Sequence, residues 1–222
     1  SKLSAGACTQ VGIQDKQSPA CFYGQVKDED SVTKFLAFNE VFMTEMAKDT
    51  GSDSYRPTKV GEIVFAKFTD GVWYRAEILS LSDETALCLF IDYGNRCDVS
   101  FSLIRKATSI CTSAPQLAIK MSLAGVAEGM NFSKEALSLF DSLMPMDKLI
   151  EVIVKSVSKD NAEVDCKRED GKWLSELLLQ SVAMPVSVTC SGDASGPGSV
   201  VMTVTVAKET LSMDGSKTQG MI

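Results

Sequence analysis

Two short stretches decide the fold: Phe65-Ala66-Lys67-Phe68-Thr69-Asp70-Gly71-Val72-Trp73-Tyr74-Arg75-Ala76 and Leu89-Phe90-Ile91-Asp92-Tyr93-Gly94-Asn95. In the first, Asp70-Gly71 is a tight-turn signal between a predicted strand at 63–68 and a second one at 72–81. In the second, an apolar run at 86–92 is closed by Gly94-Asn95, and another strand is predicted at 97–101. Four or five strands joined by short turns within about 40 residues predict a small, strongly bent barrel.

The aromatic residues of these stretches are spaced so that several rings can meet. Successive side chains of a strand point to opposite faces, so Trp73 and Tyr74 cannot share a face, and one of them can face a pocket. Gly94 permits a sharp change of direction, which can bring the preceding ring beside Phe90. We expect four rings to converge at one end of the barrel: Phe68, Tyr74, Phe90 and Tyr93.

Such a group of rings can bind a methylated cation. Ring faces attract a diffuse positive charge, and methyl groups lower the desolvation cost of a guanidinium or ammonium group while its charge remains. The amide oxygen of Asn95 could accept a guanidinium N–H. Because each cation–π contact gives on the order of 1 kcal/mol, flanking peptide contacts would have to supply the rest of the affinity. The alternative is that these aromatics only fill a β core, where such residues are enriched.

The regions on either side of the two stretches predict further strands and helices. Two short strands are predicted within residues 9–27, and apolar spacing after the candidate N-cap Ser31 predicts a helix to about Lys48. Downstream we predict a strand at 118–126, a helix from Asn131 or Ser133 to Leu143, a hairpin of 149–157 with 162–166, and a helix at 173–182. In the last part of the chain we predict strands at 186–189 and 200–206 and a frayed end at 212–222.

Composition narrows the class of function. The chain contains no histidine, which removes the commonest general acid/base and the commonest zinc ligand. Its seven cysteines form no CxxC pair, which favours a reducing compartment over a disulfide framework. The net charge of −7 disfavours direct nucleic-acid binding and favours a basic partner such as an Arg-rich tail. No apolar stretch approaches the ~20 residues needed to cross a bilayer, so we expect no membrane partner.

The two decisive stretches resemble the core of a Tudor domain. The surrounding sequence resembles the extended Tudor architecture, in which a Tudor core is inserted into a staphylococcal-nuclease-like OB fold. This resemblance covers about residues 10–182. Outside the core it is carried by Ser18-Pro19-x-x-Phe22-Tyr23, the helix from Ser31, residues 115–126 and residues 170–174. It implies a mainly β fold with helices (α+β), in which a small Tudor barrel is joined to an OB-fold lobe by a long helix. The implied segments are N-terminal OB strands at 9–30, a linker helix at 31–50, the Tudor core at 56–108, the remainder of the OB lobe with a C-terminal elaboration at 109–206, and a flexible tail at 207–222.

The resemblance also implies a ligand and its site. The guanidinium-contacting asparagine of the family falls on Asn95, and the aromatic cage falls on Phe68, Tyr74, Phe90 and Tyr93. The implied ligand is symmetric dimethylarginine in Arg-Gly or Arg-Ala tails, typically the N-terminal tails of Piwi-class proteins in germ cells. The chain would then be a scaffold of the piRNA pathway in gametogenesis and RNA silencing, placed in cytoplasmic, perinuclear germ granules (nuage). Phe90 stands where some members have tyrosine, and the Val/Thr-rich segment after residue 186 departs from the family pattern.

Arg75 and Asp92 lie in the two decisive stretches on neighbouring predicted strands. We predict that they form a partly buried ion pair that fixes the strands of the cage; the alternative is two solvated charges. Replacing Arg75 with alanine distinguishes the two, because a solvated charge would leave the melting temperature unchanged.

Three other functions fit parts of the sequence. Methyl-lysine reading, which other Tudor branches perform, would use the same cage, although Asn95 and the extended architecture favour arginine. RNA binding through the OB face is disfavoured by the acidic composition. A nuclease would need clustered carboxylates and paired arginines, and likeness of fold does not establish activity. The C-terminal lobe offers, without a motif, only Glu151, Asp165, Arg168, Glu169 and Asp170. We therefore predict a binding module with no catalytic residue, no metal and no cofactor.

Overall fold

The computed structural model of the chain describes residues 3–48, 54–146, 148–168 and 170–181. The strands predicted at 186–189 and 200–206 and the tail at 207–222 lie outside the described residues. The described part is mainly β with four α-helices, as predicted, and its strands form two separate groups. Within it, no helix has both the length and the apolar character that crossing a bilayer requires.

The first group of strands is a closed barrel, which we call the OB lobe. Numbered along the chain, its members are β1 (Cys8–Ser18), β2 (Cys21–Val26), β8 (Ile119–Leu123), β9 (Leu149–Val157) and β10 (Ala162–Asp165). They are hydrogen-bonded in the order β1-β2-β8-β10-β9, and every neighbouring pair is antiparallel except β8 and β10. The barrel interior holds a large apolar cluster, in which Phe22 and Phe140 meet edge-on at 5.7 Å. The β9–β10 pairing confirms the predicted hairpin.

The second group lies between β2 and β8 in the chain, and we call it the core sheet. Its members are β3 (Ile63–Lys67), β4 (Trp73–Leu81), β5 (Thr85–Phe90), β6 (Arg96–Ser100) and β7 (Ile104–Lys106). They are hydrogen-bonded in the order β6-β5-β4-β3-β7, and a register shift between Ile78 and Ser80 bends β4. A short 3-10 helix at Phe101–Leu103 joins the two end strands. The sequence predicted a small barrel of four or five strands here. Its hydrogen bonds form a five-stranded antiparallel sheet, which is inserted into the OB lobe.

Strand β5 ends at Phe90, two residues before the predicted end at Asp92. The carbonyl of Phe90 accepts hydrogen bonds from the N–H groups of Tyr93 (3.0 Å) and Gly94 (2.7 Å), so the turn begins at this residue. Regular strand alternation therefore stops before Asp92.

Helix α1 (Glu29–Lys48) begins two residues earlier than predicted. The side chain of Asp28 accepts the N–H of Ser31 at 2.7 Å, so Asp28 caps the helix in place of Ser31. The helix packs against the core sheet, where the ring of Phe42 meets the ring of Phe65 edge-on at 5.4 Å. This contact forms the centre of a small apolar cluster between helix and sheet.

Three shorter helices complete the described fold. Helix α2 (Ser109–Ser113), which was not predicted, lies between β7 and β8. Helix α3 (Lys134–Leu143) is capped by Ser133, whose side chain accepts the N–H of Ala136. Helix α4 (Leu174–Gln180) follows β10 and lies within the predicted range.

Candidate functional site

The β3–β4 turn sets the positions of Phe68 and Tyr74. The N–H of Phe68 donates to the carbonyl of Val72 and the N–H of Gly71 donates to the carbonyl of Phe68, each at 2.9 Å. Gly71 has φ of 82°, a conformation that favours glycine and explains the Asp-Gly signal in the sequence. Strand alternation then separates the next two aromatic residues. Trp73 joins the cluster beneath α1, and Tyr74 packs beside Phe68.

The turn after β5 sets the positions of Tyr93 and Asn95. The N–H of Phe90 donates to the backbone carbonyl of Asn95 at 2.9 Å, which closes the turn. Gly94 has φ of 93°, and a Cβ atom at this position would lie 2.0 Å from Cγ of Tyr23 on β2. Glycine is therefore required at position 94 for two reasons, which are the positive φ of this position and the close approach of the OB lobe.

The four predicted rings converge. The ring centroids are 5.0 Å apart for Phe68–Phe90, 5.2 Å for Tyr74–Tyr93, 6.0 Å for Tyr74–Phe90 and 6.4 Å for Phe68–Tyr74. The interplanar angles of these pairs lie between 77° and 89°, so each contact is edge-to-face. Tyr74 contacts the other three rings, whereas Tyr93 has no ring contact with either phenylalanine. We call this group of four rings, which meet edge-to-face, the aromatic cage.

The four rings differ in exposure. Phe90 is only 1% exposed and belongs to the apolar core of the sheet, together with Val64 and Ala76. Phe68, Tyr74 and Tyr93 are partly exposed. Phe90 is therefore the buried floor of the cage, and the other three rings are its partly exposed walls.

Asn95 follows the turn that carries Tyr93, is bonded through its backbone carbonyl to the N–H of Phe90, and is partly exposed. Its backbone carbonyl is used in the turn, but its side-chain amide makes no hydrogen bond to any described residue. The amide is free to pair with a ligand, with its oxygen as acceptor and its nitrogen as donor.

Asp70 also belongs to this site, although the sequence predicted only its part in a turn. Asp70 accepts the N–H of Val72 through Oδ1 and the hydroxyl of Tyr74 through Oδ2, both at 2.8 Å. A tight hairpin turn places the residue before its glycine beside the first residues of the returning strand, so the i, i+4 spacing of Asp70 and Tyr74 could have predicted this contact.

Both tyrosines of the cage remain protonated well above neutral pH. Burial, followed by the hydrogen bond and negative charge of Asp70, raises the pKa of Tyr74 to about 12. Burial, followed by the charges of Asp92 and Asp70, also raises the pKa of Tyr93. The two rings therefore present neutral hydroxyls and electron-rich faces, which suits attraction of a cation.

Arg75 and Asp92 form a buried, two-pronged ion pair. Nε of Arg75 donates to Oδ2 of Asp92 at 2.9 Å and Nη2 donates to Oδ1 at 2.6 Å. Arg75 is 1% exposed and Asp92 is 6% exposed, so the pair is more fully buried than the sequence predicted. The guanidinium also lies 4.1 Å from the ring centroid of Phe38 on α1.

The remaining donors of Arg75 connect the core sheet to the segment that returns to the OB lobe. They donate to the backbone carbonyls of Cys111 (2.8 Å), Ala114 (2.7 Å) and Pro115 (2.9 Å). On the other side of the pair, Oδ1 of Asp92 accepts the N–H of Leu117 at 3.1 Å. With all five guanidinium N–H groups used, the cost of burying the charge is offset by hydrogen bonds.

A groove of about 390 Å³ runs between the core sheet and the OB lobe. Leu89 and Ile91 line it from the core sheet side, and Tyr23, Ala118 and Lys120 line it from the OB lobe. Because Tyr23 also packs against Gly94, the groove lies next to the turn that carries Tyr93. A peptide with one side chain in the cage could continue into this groove.

Of the acidic and basic residues considered for a nuclease, Glu169 lies outside the described residues, and the others are Glu151, Asp165, Arg168 and Asp170. Asp165 is 2% exposed and accepts hydrogen bonds from the N–H and the hydroxyl of Ser175, so it has a structural role. Nη2 of Arg168 lies 3.7 Å from Oδ2 of Asp170. Glu151 is exposed on β9. Among the described residues there is no group of three or more acidic or cysteine side chains that could hold a metal ion.

An antiparallel core sheet that carries an aromatic cage and is inserted into a closed OB barrel defines an extended Tudor domain. A family model described as Tudor domain matches residues 11–125, which is more than half of the chain. The chain belongs to the Tudor domain family. Proteins of this family are binding modules.

Two relatives from Danio rerio illustrate the similarity in sequence. The chain is 41% identical to Tudor domain-containing protein 1 over 176 residues, which is 78% of this chain and 14% of that protein. It is 34% identical to Tudor domain-containing 6 over 129 residues, which is 57% of this chain and 6% of that protein. The chain therefore spans only a small part of the length of these relatives.

Solved structures show the same architecture. The human TDRD1 extended Tudor domain, in complex with a symmetrically dimethylated peptide, has a TM-score of 0.67 and 27% identity, covering 81% of this chain and 90% of that one. The extended Tudor domain of Drosophila melanogaster Tudor-SN has a TM-score of 0.64 and 21% identity, covering 78% of this chain and 81% of that one. At 21% identity, the similarity to Tudor-SN shows the fold alone.

Proposed function

We propose that this chain binds symmetric dimethylarginine within an Arg-Gly or Arg-Ala peptide. The observation that carries the proposal is the set of four rings meeting at right angles beside the free side-chain amide of Asn95. The Tyr93 ring has no ring contact with Phe68 or Phe90, and the guanidinium is proposed to lie between the partly exposed rings of Tyr93 and Phe68. In this position it would lie above Phe90, with its N–H within reach of Asn95.

The affinity would come from the cage and the groove together. A few cation–π contacts of about 0.5–1 kcal/mol each give weak binding, so the residues that flank the methylated arginine must also be bound. The groove beside Tyr23, which packs against Gly94 in the turn that carries Tyr93, is the surface we propose for them. The human TDRD1 extended Tudor domain, to which the chain is 27% identical, has been solved with a symmetrically dimethylated peptide, which supports the same class of ligand.

The partner we propose is the Arg-rich N-terminal tail of a Piwi-class protein. A basic tail suits a chain with a net charge of −7, because opposite charges accelerate encounter. In this role the domain is a scaffold of the piRNA pathway, working in gametogenesis and RNA silencing. Its place would be cytoplasmic, in the perinuclear germ granules (nuage) where such complexes assemble.

Calorimetric titration with matched peptides tests this function. The same Arg-Gly peptide is compared with its arginine unmodified, symmetrically dimethylated or asymmetrically dimethylated, and with methyl-lysine in its place. We expect the symmetric form to bind at least about fivefold more tightly than the unmodified form, which corresponds to roughly 1 kcal/mol.

The other arms of the titration identify the competing functions. Equal binding of symmetric and unmodified arginine would refute the proposal, and tightest binding of methyl-lysine would assign the cage to a different ligand. Single-stranded RNA is titrated in parallel, with a metal-dependent cleavage assay. Binding of RNA that is stronger than binding of any peptide, or turnover abolished by a chelator, would replace the proposed function.

A further inference from the structure

The rim of the cage carries a negative charge. Asp70 is exposed at the tip of the β3–β4 turn, and its carboxylate is held in place from two sides. One oxygen accepts the N–H of Val72 and the other accepts the hydroxyl of Tyr74, each at 2.8 Å. The carboxylate is therefore fixed to the one ring that contacts all three others.

We propose that Asp70 is a positioning and affinity-determining residue of the cage, which orients the Tyr74 ring and provides the counter-charge for the bound methylated cation. This inference rests on the proposed function. The four rings and Asn95 can surround a guanidinium without neutralising it, since none of them carries a formal charge. Asp70 supplies the missing charge at the rim, where it need not be buried.

Two observations support a role beyond the turn. The carboxylate is hydrogen-bonded to the end of the Tyr74 side chain and so restrains the ring, whereas a turn residue needs only its backbone partner. Its charge also acts on both cage tyrosines, since it contributes to the raised pKa of Tyr74 and of Tyr93. A cation placed between these rings would be attracted by the same charge.

Substitution of Asp70 by asparagine separates the charge from the turn. Asparagine has nearly the same shape and can still accept the N–H of Val72, so Asp70→Asn removes the charge while keeping the hairpin. The matched control is Asp83→Asn, which removes one exposed negative charge from the turn at the opposite end of β4. Both variants change the net charge equally, so only the position of the lost charge differs.

Affinity for the symmetrically dimethylated Arg-Gly peptide is measured at about 50 mM and about 500 mM salt, where screening is weak and strong respectively. We expect Asp70→Asn to bind about two- to fivefold more weakly than the wild-type chain at low salt, with the difference reduced at high salt. Asp83→Asn should bind like the wild type. Equal affinity of Asp70→Asn and the wild type at low salt would overturn the counter-charge role.

The orienting role is measured without any ligand. The pKa of Tyr74 is followed by NMR of ring-labelled tyrosine, and we expect it to fall in Asp70→Asn because the negative charge is lost. An unchanged pKa would mean that the Asp70 carboxylate does not contact the Tyr74 hydroxyl, and that result would overturn the orienting role. If the wild-type chain binds methylated and unmodified peptides alike, the proposed function fails, and the Tyr74 titration alone decides the role of Asp70.

Discussion

At the scale of single residues, the rings of the cage have different tasks. Phe90 is buried in the sheet core, whereas Phe68 and Tyr93 are partly exposed walls. We expect Phe90→Ala to lower the free energy of unfolding by about 3–5 kcal/mol, because it leaves a cavity in the core. Phe68→Ala should instead abolish measurable peptide binding with little change in stability. Thermal unfolding and peptide titration of both variants check these outcomes.

A matched control for Phe68→Ala is Phe132→Ala, which removes a partly exposed ring that packs on the OB lobe. It should leave peptide binding intact. Binding that survives in Phe68→Ala, or is lost equally in the control, would mean that the cage is not the binding site.

The raised pKa of Tyr74 predicts a dependence of stability on pH. Tyr74 binds its proton more tightly in the folded chain, where its pKa is about 12, than in the unfolded chain, where the ordinary value is about 10. Its contribution to stability is therefore fully present below about pH 10 and is lost as the pH rises towards about 12. The difference in melting temperature between the wild type and Tyr74→Phe, measured from pH 8 to about 12, should change across this window. A constant difference would show that Tyr74 does not titrate with folding.

At the scale of elements, two glycine turns of the core sheet can be compared directly. Gly71 and Gly94 both have positive φ, but a Cβ at Gly71 would meet no heavy atom within 4 Å, whereas one at Gly94 would overlap Tyr23. Gly71→Ala should cost only the backbone strain, about 1–2 kcal/mol. Gly94→Ala should cost clearly more and should weaken peptide binding, because the turn carrying Tyr93 has to move. Chemical denaturation of both variants tests this, and equal losses would contradict the close packing of Tyr23.

At the scale of the whole molecule, the buried ion pair joins the core sheet to the segment that returns to the OB lobe. Arg75 binds Asp92 and three backbone carbonyls of the connecting segment, so its removal leaves a buried charge and several unpaired acceptors. We expect Arg75→Ala to lower the free energy of unfolding by about 3–5 kcal/mol. Arg75→Lys should recover only part of this loss, because an ammonium group cannot form the two-pronged contact. Melting temperatures of the two variants provide the measurement, and no change in Arg75→Ala would contradict the structure.

The local parts of the fold could be predicted from the sequence because they depend on neighbouring residues. The turn at Asp70-Gly71, the opposite faces of Trp73 and Tyr74, the Ser133 cap and the β9–β10 hairpin all follow from short-range rules of turn chemistry and strand alternation. The errors are also local. Helix α1 begins at Glu29 because Asp28 caps it, and β5 ends at Phe90 because the Phe90 carbonyl opens a turn; both interactions compete with periodicity at the ends of elements.

The choice of rings for the cage follows from local spacing, because the positions of Phe68, Tyr74, Phe90 and Tyr93 on strands and turns direct them to one end of the sheet. The burial of Phe90 as the floor, and the packing of Tyr23 from the OB lobe against Gly94, could be seen only in the folded chain. The same holds for the hydrogen bonds of Arg75 to carbonyls as far as 40 positions along the chain. The physical reason is that the direction of a side chain follows from its own strand, whereas burial and hydrogen-bond partners depend on which distant segments pack against it.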